Sequence, residues 1–194
     1  MRLFRIFEKN NSNAEDMKII NTNIKDLKII SHKRYSDSRG TLRETYNKKI
    51  INWDKFVFEY TTISRQNVFR GFHFQYKHQQ SKLVTVVKGK ILDYAIDLRK
   101  NSKTFGKTFS IILSESNCKS LYIPRGFAHA YFSIQKSNVI QYKLSDYYHP
   151  KFEDGINFND KFIDIKLPKK KVIVSKKDKQ LNSFQSFKKK YKGL

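Results

Sequence analysis

Apolar and polar residues alternate along this chain in short runs, a period that belongs to strands rather than helices. The pattern predicts strands at Leu27–Ile30, Phe56–Ile63, Lys82–Val87, Ile91–Leu98, Thr108–Leu113, Lys119–Ile123, Ala128–Ser133 and Asn138–Lys143, each rich in β-branched or aromatic residues. Ser36–Gly40 reads as a turn, and Lys88-Gly89-Lys90 as a hairpin joining two of the strands. Helical periodicity is scarce. Short strands at regular spacing imply an all-β sandwich or barrel. Residues 1–16 are polar and patternless, with a linker-like Asn10-Asn11-Ser12-Asn13, and are expected to be a disordered arm. The domain then runs from Met17 to residue 183, and 184–194 reads as a basic tail, either a short helix or a frayed end. No internal repeat is visible.

Composition narrows the function classes. Forty Lys and Arg against seventeen Asp and Glu give a net charge of +23, a field that attracts polyanions. The lysines are dispersed, with clusters at Lys169-Lys170-Lys171 and Lys188-Lys189-Lys190, and no zinc-finger spacing or RNA-binding motif accompanies them. Specific nucleic-acid binding is not expected; a phosphorylated small molecule would use the same field. No apolar run approaches the roughly 20 residues that cross a bilayer, so no membrane partner is expected. The first residues lack the apolar segment and cleavage site of a secretory signal. The single cysteine, Cys118, allows no intrachain disulfide and reads as a small buried hydrophobe. A cytoplasmic address is expected.

Candidate chemistry concentrates at Arg70-Gly71-Phe72-His73-Phe74-Gln75 and Pro124-Arg125-Gly126-Phe127-Ala128-His129, each placing one histidine among aromatic and glycine residues. A barrel metal site would need two histidines separated by one residue, a carboxylate and a later histidine. His73 is followed by Phe74 and Gln75, so the pair is missing and no metal is expected; His78 would supply a ligand only through an unusual loop geometry. His149, beside Pro150, and His32 read as surface loop residues. Without a metal, a barrel histidine serves as acid or base. Proton abstraction beside a ketone needs a base, a donor to the enolate oxygen and an acid to return the proton. Taken alone, His73 reads equally well as a core histidine bonded to a backbone carbonyl.

Several motifs in order carry a resemblance. They are Asp37-Ser38-Arg39-Gly40 with Glu44, Asn67 through Gln75, Lys82-Leu83-Val84, Asp97 through Gly106, Pro124 through His129, Tyr142-Lys143, Tyr147-Tyr148, Asn159-Asp160, Leu167-Pro168 and Ser175-Lys176-Lys177-Asp178. Together they resemble the dTDP-4-dehydrorhamnose 3,5-epimerase family from Met17 to about Asp178. The resemblance implies a cupin-type jelly-roll β-barrel with short peripheral helices. It implies inversion of C3 and C5 of dTDP-4-keto-6-deoxyglucose, through an enolate, to dTDP-4-keto-L-rhamnose in dTDP-rhamnose synthesis, with no metal or organic cofactor. Carried onto this sequence, His73 is the base, Asp178 its carboxylate partner, Tyr142 the acid and Lys82 the donor to the enolate. Arg39, Glu44, Arg70, His129, Glu153 and Lys177 occupy substrate-contacting positions. It further implies a homodimer that exchanges an N-terminal strand, the partner completing the nucleotide site.

One departure stands out. Where the family has a Gln-Asp-Asn triplet that helps hold the nucleotide, this chain has Phe58-Glu59-Tyr60, whose aromatic rings offer a stacking surface instead. Alternative readings are a C3-only or C5-only epimerase with a different nucleotide, or a non-catalytic sugar-binding cupin. The last would show His73 and Asp178 out of hydrogen-bond reach, or Tyr142 turned into the core.

Overall fold

The computed structural model describes residues 17–168 and 171–194. The expected disordered arm, 1–16, and Lys169 and Lys170 of the first lysine cluster lie outside the described residues. The strands are β1 (Lys18–Asn21), β2 (Lys28–Ser31), β3 (Arg34–Asp37), β4 (Gly40–Arg43), β5 (Phe58–Arg65), β6 (Phe69–Gln75), β7 (Lys82–Lys88), β8 (Lys90–Asp97), β9 (Thr108–Ser114), β10 (Lys119–Ile123), β11 (Phe127–Ser133), β12 (Ser137–Leu144) and β13 (Glu153–Gly155). Two helices follow, α1 (Lys176–Lys179) and α2 (Phe184–Tyr191). One sheet has the order β1-β2-β10-β7-β12-β5, the other β13-β6-β11-β8-β9, and β3 and β4 form a separate hairpin. The architecture is the expected all-β jelly roll, two antiparallel sheets with non-sequential strand order.

Strand alternation divides the apolar residues into layers. On β11, Phe127 and Tyr131 face the interior between the sheets with Val84, Val86, Leu121, Ile140 and Tyr142. Ala128, Ala130 and Phe132 face the other way, into a second cluster with Phe69, Phe72, Phe184 and Phe187. With both faces covered, every residue of β11 is buried.

The structure corrects three sequence expectations. Lys88-Gly89-Lys90 is not a hairpin: β7 and β8 lie in different sheets, and this tight corner passes the chain from one to the other. Gly89 has φ +86°, and a Cβ there would stand 2.4 Å from the Ser137 carbonyl oxygen, so the corner admits only glycine. Residues 184–194, expected as a basic tail beyond the domain, pack on it through Phe184 and Phe187, and the Leu194 amide donates to the Leu98 carbonyl at 2.7 Å. The polar pattern of this stretch hid two phenylalanines three residues apart on one helical face. His32 is buried, not a surface residue; its Nε2 lies 2.6 Å from Ser120 Oγ, and burial, reinforced by the nearby Arg43 charge, pulls its pKa down to about 4.

Candidate active site

The base candidate sits on β6, whose neighbour in the sheet is β11. His73 pairs with His129 and Arg70 with Tyr131, so three steps along β6 match two along β11. This bulge inserts one extra residue and shifts the alternation. Arg70 and His73, of opposite parity, therefore line the same cavity. Gly71 permits the close approach: its φ is +120°, and a Cβ would stand 2.5 Å from both Ala130 Cβ and the His129 carbonyl oxygen.

The cavity holds about 550 Å³ between the sheets. From the five-stranded sheet come Arg70, His73, His129 and Tyr131; from the facing sheet come Tyr60, Thr62, Lys82 and Tyr142. The segment Ile173–Asp178 closes one side and also contributes Lys177. Of the ten residues singled out in the sequence, seven meet here: His73, Tyr142, Asp178, Lys82, Arg70, His129 and Lys177. Glu153 borders a small adjoining cavity that shares His73, Lys82 and Tyr60. Its carboxylate accepts from Tyr148 Oη at 2.9 Å and pairs with Lys177. Arg39 and Glu44 do not line the cavity of their own chain. Arg39 sits on the exposed β3–β4 turn, 2.6 Å from Asp37, and Glu44 accepts from Asn47 Nδ2 at 2.7 Å.

His73 Nε2 lies 2.9 Å from Asp178 Oδ1. A carboxylate only accepts, so Nε2 carries the hydrogen and the lone pair is left on Nδ1. Asp178 is fixed at the start of α1: its amide donates to Ser175 Oγ at 3.0 Å, and its Oδ2 accepts from the Gly71 amide at 3.2 Å. Burial pushes the Asp178 carboxyl up, but the hydrogen bond and charge of His73, with Gly71 and Ser175, outweigh it and hold the group below the usual carboxylate range. The site therefore keeps a charged acceptor behind the imidazole at neutral pH.

Tyr142 packs in the interior cluster and at the same time lines the cavity, so it is not lost to the core; desolvation raises its phenol well above 10, helped by the neighbouring Tyr131, Tyr60 and Asp93. It stays protonated across the physiological range. Burial pulls the Lys82 ammonium down to about 8, with Glu153 and Asp93 partly offsetting the drop. His129 Nε2 lies 2.8 Å from the buried Asp93 Oδ1, a second imidazole–carboxylate pair.

A family profile described as dTDP-4-dehydrorhamnose 3,5-epimerase matches residues 21–186, most of the chain. The chain belongs to this family. The dTDP-4-dehydrorhamnose 3,5-epimerase of Methanothermobacter thermautotrophicus is 37% identical over 171 residues, covering 84% of this chain and 92% of the relative. That of Escherichia coli K12 is 38% identical over 172 residues, covering 85% and 93%. The crystal structure of dTDP-6-deoxy-D-glucose-3,5-epimerase from Legionella pneumophila, in complex with dTDP-4-keto-L-rhamnose, aligns with a TM-score of 0.84 at 37% identity, covering 88% of this chain and 94% of that one.

This epimerase-family chain also carries site residues that sequence reasoning missed. Tyr60, known from the sequence only as part of a departure, stacks on Tyr142 with ring centroids 4.8 Å apart and 22° between planes. Tyr131 Oη lies 2.8 Å from Ser64 Oγ and 3.2 Å from Thr62 Oγ1, and Arg70 Nε donates to the same Ser64 oxygen at 3.2 Å. The available signal was parity: positions 60, 62 and 64 share one face of β5 with Phe58, which packs against the core. Asp93 had a plainer mark, an acidic residue inside the apolar run Ile91–Leu98.

Proposed function

We propose that this chain inverts C3 and C5 of dTDP-4-keto-6-deoxyglucose, giving dTDP-4-keto-L-rhamnose, by proton removal and return through an enolate. The observation that carries the reading is the opposition of two groups across one cavity: a carboxylate-backed imidazole on one sheet and a protonated phenol on the other. Inversion at carbon requires a base on one face and an acid on the other. His73 removes the proton α to the ketone, and Asp178 stabilises the imidazolium that forms. Tyr142 returns a proton from the opposite face. A positioned acid or base of this kind is worth roughly a hundred- to ten-thousandfold in rate. Lys82 sets a positive charge against the developing enolate oxygen. Arg70, His129, Glu153 and Lys177 hold the sugar and its diphosphate; the guanidinium fork of Arg70 suits paired oxygens.

Arg39 and Glu44 act in this reading from the partner of a homodimer. The six-stranded sheet ends at β1, every residue of which is exposed, including Ile19 at 40% and Ile20 at 43%. Such an edge is a template for pairing with a second copy. The β3–β4 hairpin that bears Arg39 follows β2 directly and would travel with it. A cytoplasmic setting belongs to the same proposal, since a nucleotide sugar does not cross a bilayer unaided.

The test is incubation with dTDP-4-keto-6-deoxyglucose in deuterated water, with C3 and C5 followed by NMR. Deuterium at both carbons, with L-configured product, supports the proposal. Deuterium at one carbon restricts the activity to a single centre, and no exchange overturns the enzymatic reading for this substrate.

A further inference from the structure

Outside the cavity, three metal-ligating side chains converge where two connections meet. His78 lies between β6 and β7; Asp146 and His149 lie between β12 and β13. Their donor atoms all fall within 4.8 Å of one another. His78 Nδ1 is 3.8 Å from Asp146 Oδ2, and His149 Nε2 is 3.8 Å from Asp146 Oδ1. The two imidazoles stand face to face, with centroids 4.2 Å apart and 22° between planes.

The frame beneath them is built. The buried Gln75 side chain donates to the His78 carbonyl at 2.6 Å and accepts from the His149 amide at 2.7 Å. Gln80 Nε2 donates to the Asp146 and Tyr147 carbonyls at 2.9 and 2.8 Å. Two side-chain amides, one of them buried, thus tie both connections together, and the backbone of His78 is held at φ +52°. Phe152 packs behind both rings, with centroids 5.3 and 6.2 Å away. At 3.8 Å each imidazole nitrogen lies beyond hydrogen-bond range of the Asp146 carboxylate, so neither contact is a direct hydrogen bond.

We propose that His78, Asp146 and His149, on the β6–β7 and β12–β13 connections and outside the lining of the cavity, form a binding site for a divalent transition-metal ion of the zinc class. Two imidazoles and one carboxylate suit Zn²⁺, Co²⁺ or Ni²⁺ rather than Mg²⁺ or Ca²⁺, which take oxygen ligands. Tetrahedral zinc with arms of about 2.0–2.2 Å places its ligands roughly 3.3 Å apart. Coordination would require the separations to shorten and the stacked rings to turn their nitrogens toward one point, and the side-chain exposures of 49%, 33% and 35% for His78, Asp146 and His149 leave room for that rotation. Lys77 and Lys151 flank the cluster in sequence, so the metal binds more weakly than in a buried site. A bound ion would tie the β6–β7 connection to the one that carries Tyr148.

The experiment is calorimetric titration of the tag-free, chelator-treated full chain with zinc chloride at pH 7.5, repeated at pH 6.0. The expected result is one ion per chain, with affinity at least tenfold weaker at pH 6.0 because protons compete for the imidazoles. His149→Gln and His78→Gln, both at partly or largely exposed positions, should each weaken binding at least tenfold, and Co²⁺ should give visible ligand-field bands in the native chain that the variants lack. Absence of binding at pH 7.5, or binding unchanged in His78→Gln/His149→Gln, would overturn the assignment.

Discussion

Asp178→Asn removes one charge from the His73 pair while keeping the shape of the side chain. In the proposed reaction His73 takes a proton from carbon and becomes imidazolium, 2.9 Å from Asp178 Oδ1 in the native site. At that separation the carboxylate attracts it by about 6 kcal/mol for an effective dielectric of about 20. This figure is a ceiling, because the His73 side chain keeps 29% of its exposure and water screens the pair. Roughly 2–4 kcal/mol survives such screening, which corresponds to a loss of about thirty- to a thousandfold in rate. Asn retains an acceptor for the Gly71 amide, which bonds Oδ2 at 3.2 Å, so the fold stays intact. The assay is the initial rate of deuterium incorporation at C3 and C5 under saturating substrate, with the melting temperature measured alongside. A variant that folds normally and exchanges within threefold of the native rate would show that the carboxylate does not support the base.

Tyr142→Phe keeps the ring stacked on Tyr60 but deletes the hydroxyl; α-proton exchange should persist while net inversion falls by at least a hundredfold, and equal loss of both would remove the acid role. Lys82→Met should lower kcat by roughly a hundred- to a thousandfold. Because the Lys82 ammonium titrates at about 8, native kcat should decline as pH rises through that value, and Lys82→Arg should move the decline to higher pH; a native profile flat to pH 10 would contradict this. Phe187→Ala empties a site packed against Phe74, Phe184 and Tyr191, and should cost about 3–5 kcal/mol in urea unfolding, whereas a dispensable tail would show no change.

Much of the site was legible because its residues lie in short local motifs. His73 sits inside Arg70–Gln75, Lys82 opens a clear strand, and Tyr142 falls on a strand of clean alternation. Seven of the ten sequence candidates then meet at one cavity. What was not legible depends on chain segments far apart. Tyr60 was known only as part of an altered triplet until pairing of β5 with β12 set it opposite Tyr142. Arg39 and Glu44 carry no local sign that they fall outside the cavity of their own chain.

Strand positions, the all-β class and the residue types able to move a proton were written in the one-dimensional pattern, since alternation and side-chain chemistry are local properties. The fold alone decided three things. It sent β7 and β8 to opposite sheets, it used a bulge at Gly71 to turn Arg70 and His73 toward one cavity, and it joined His73 to an aspartate 105 residues away. Each depends on register and strand order, which are set by the sum of packing across both sheets and not by any single stretch of chain.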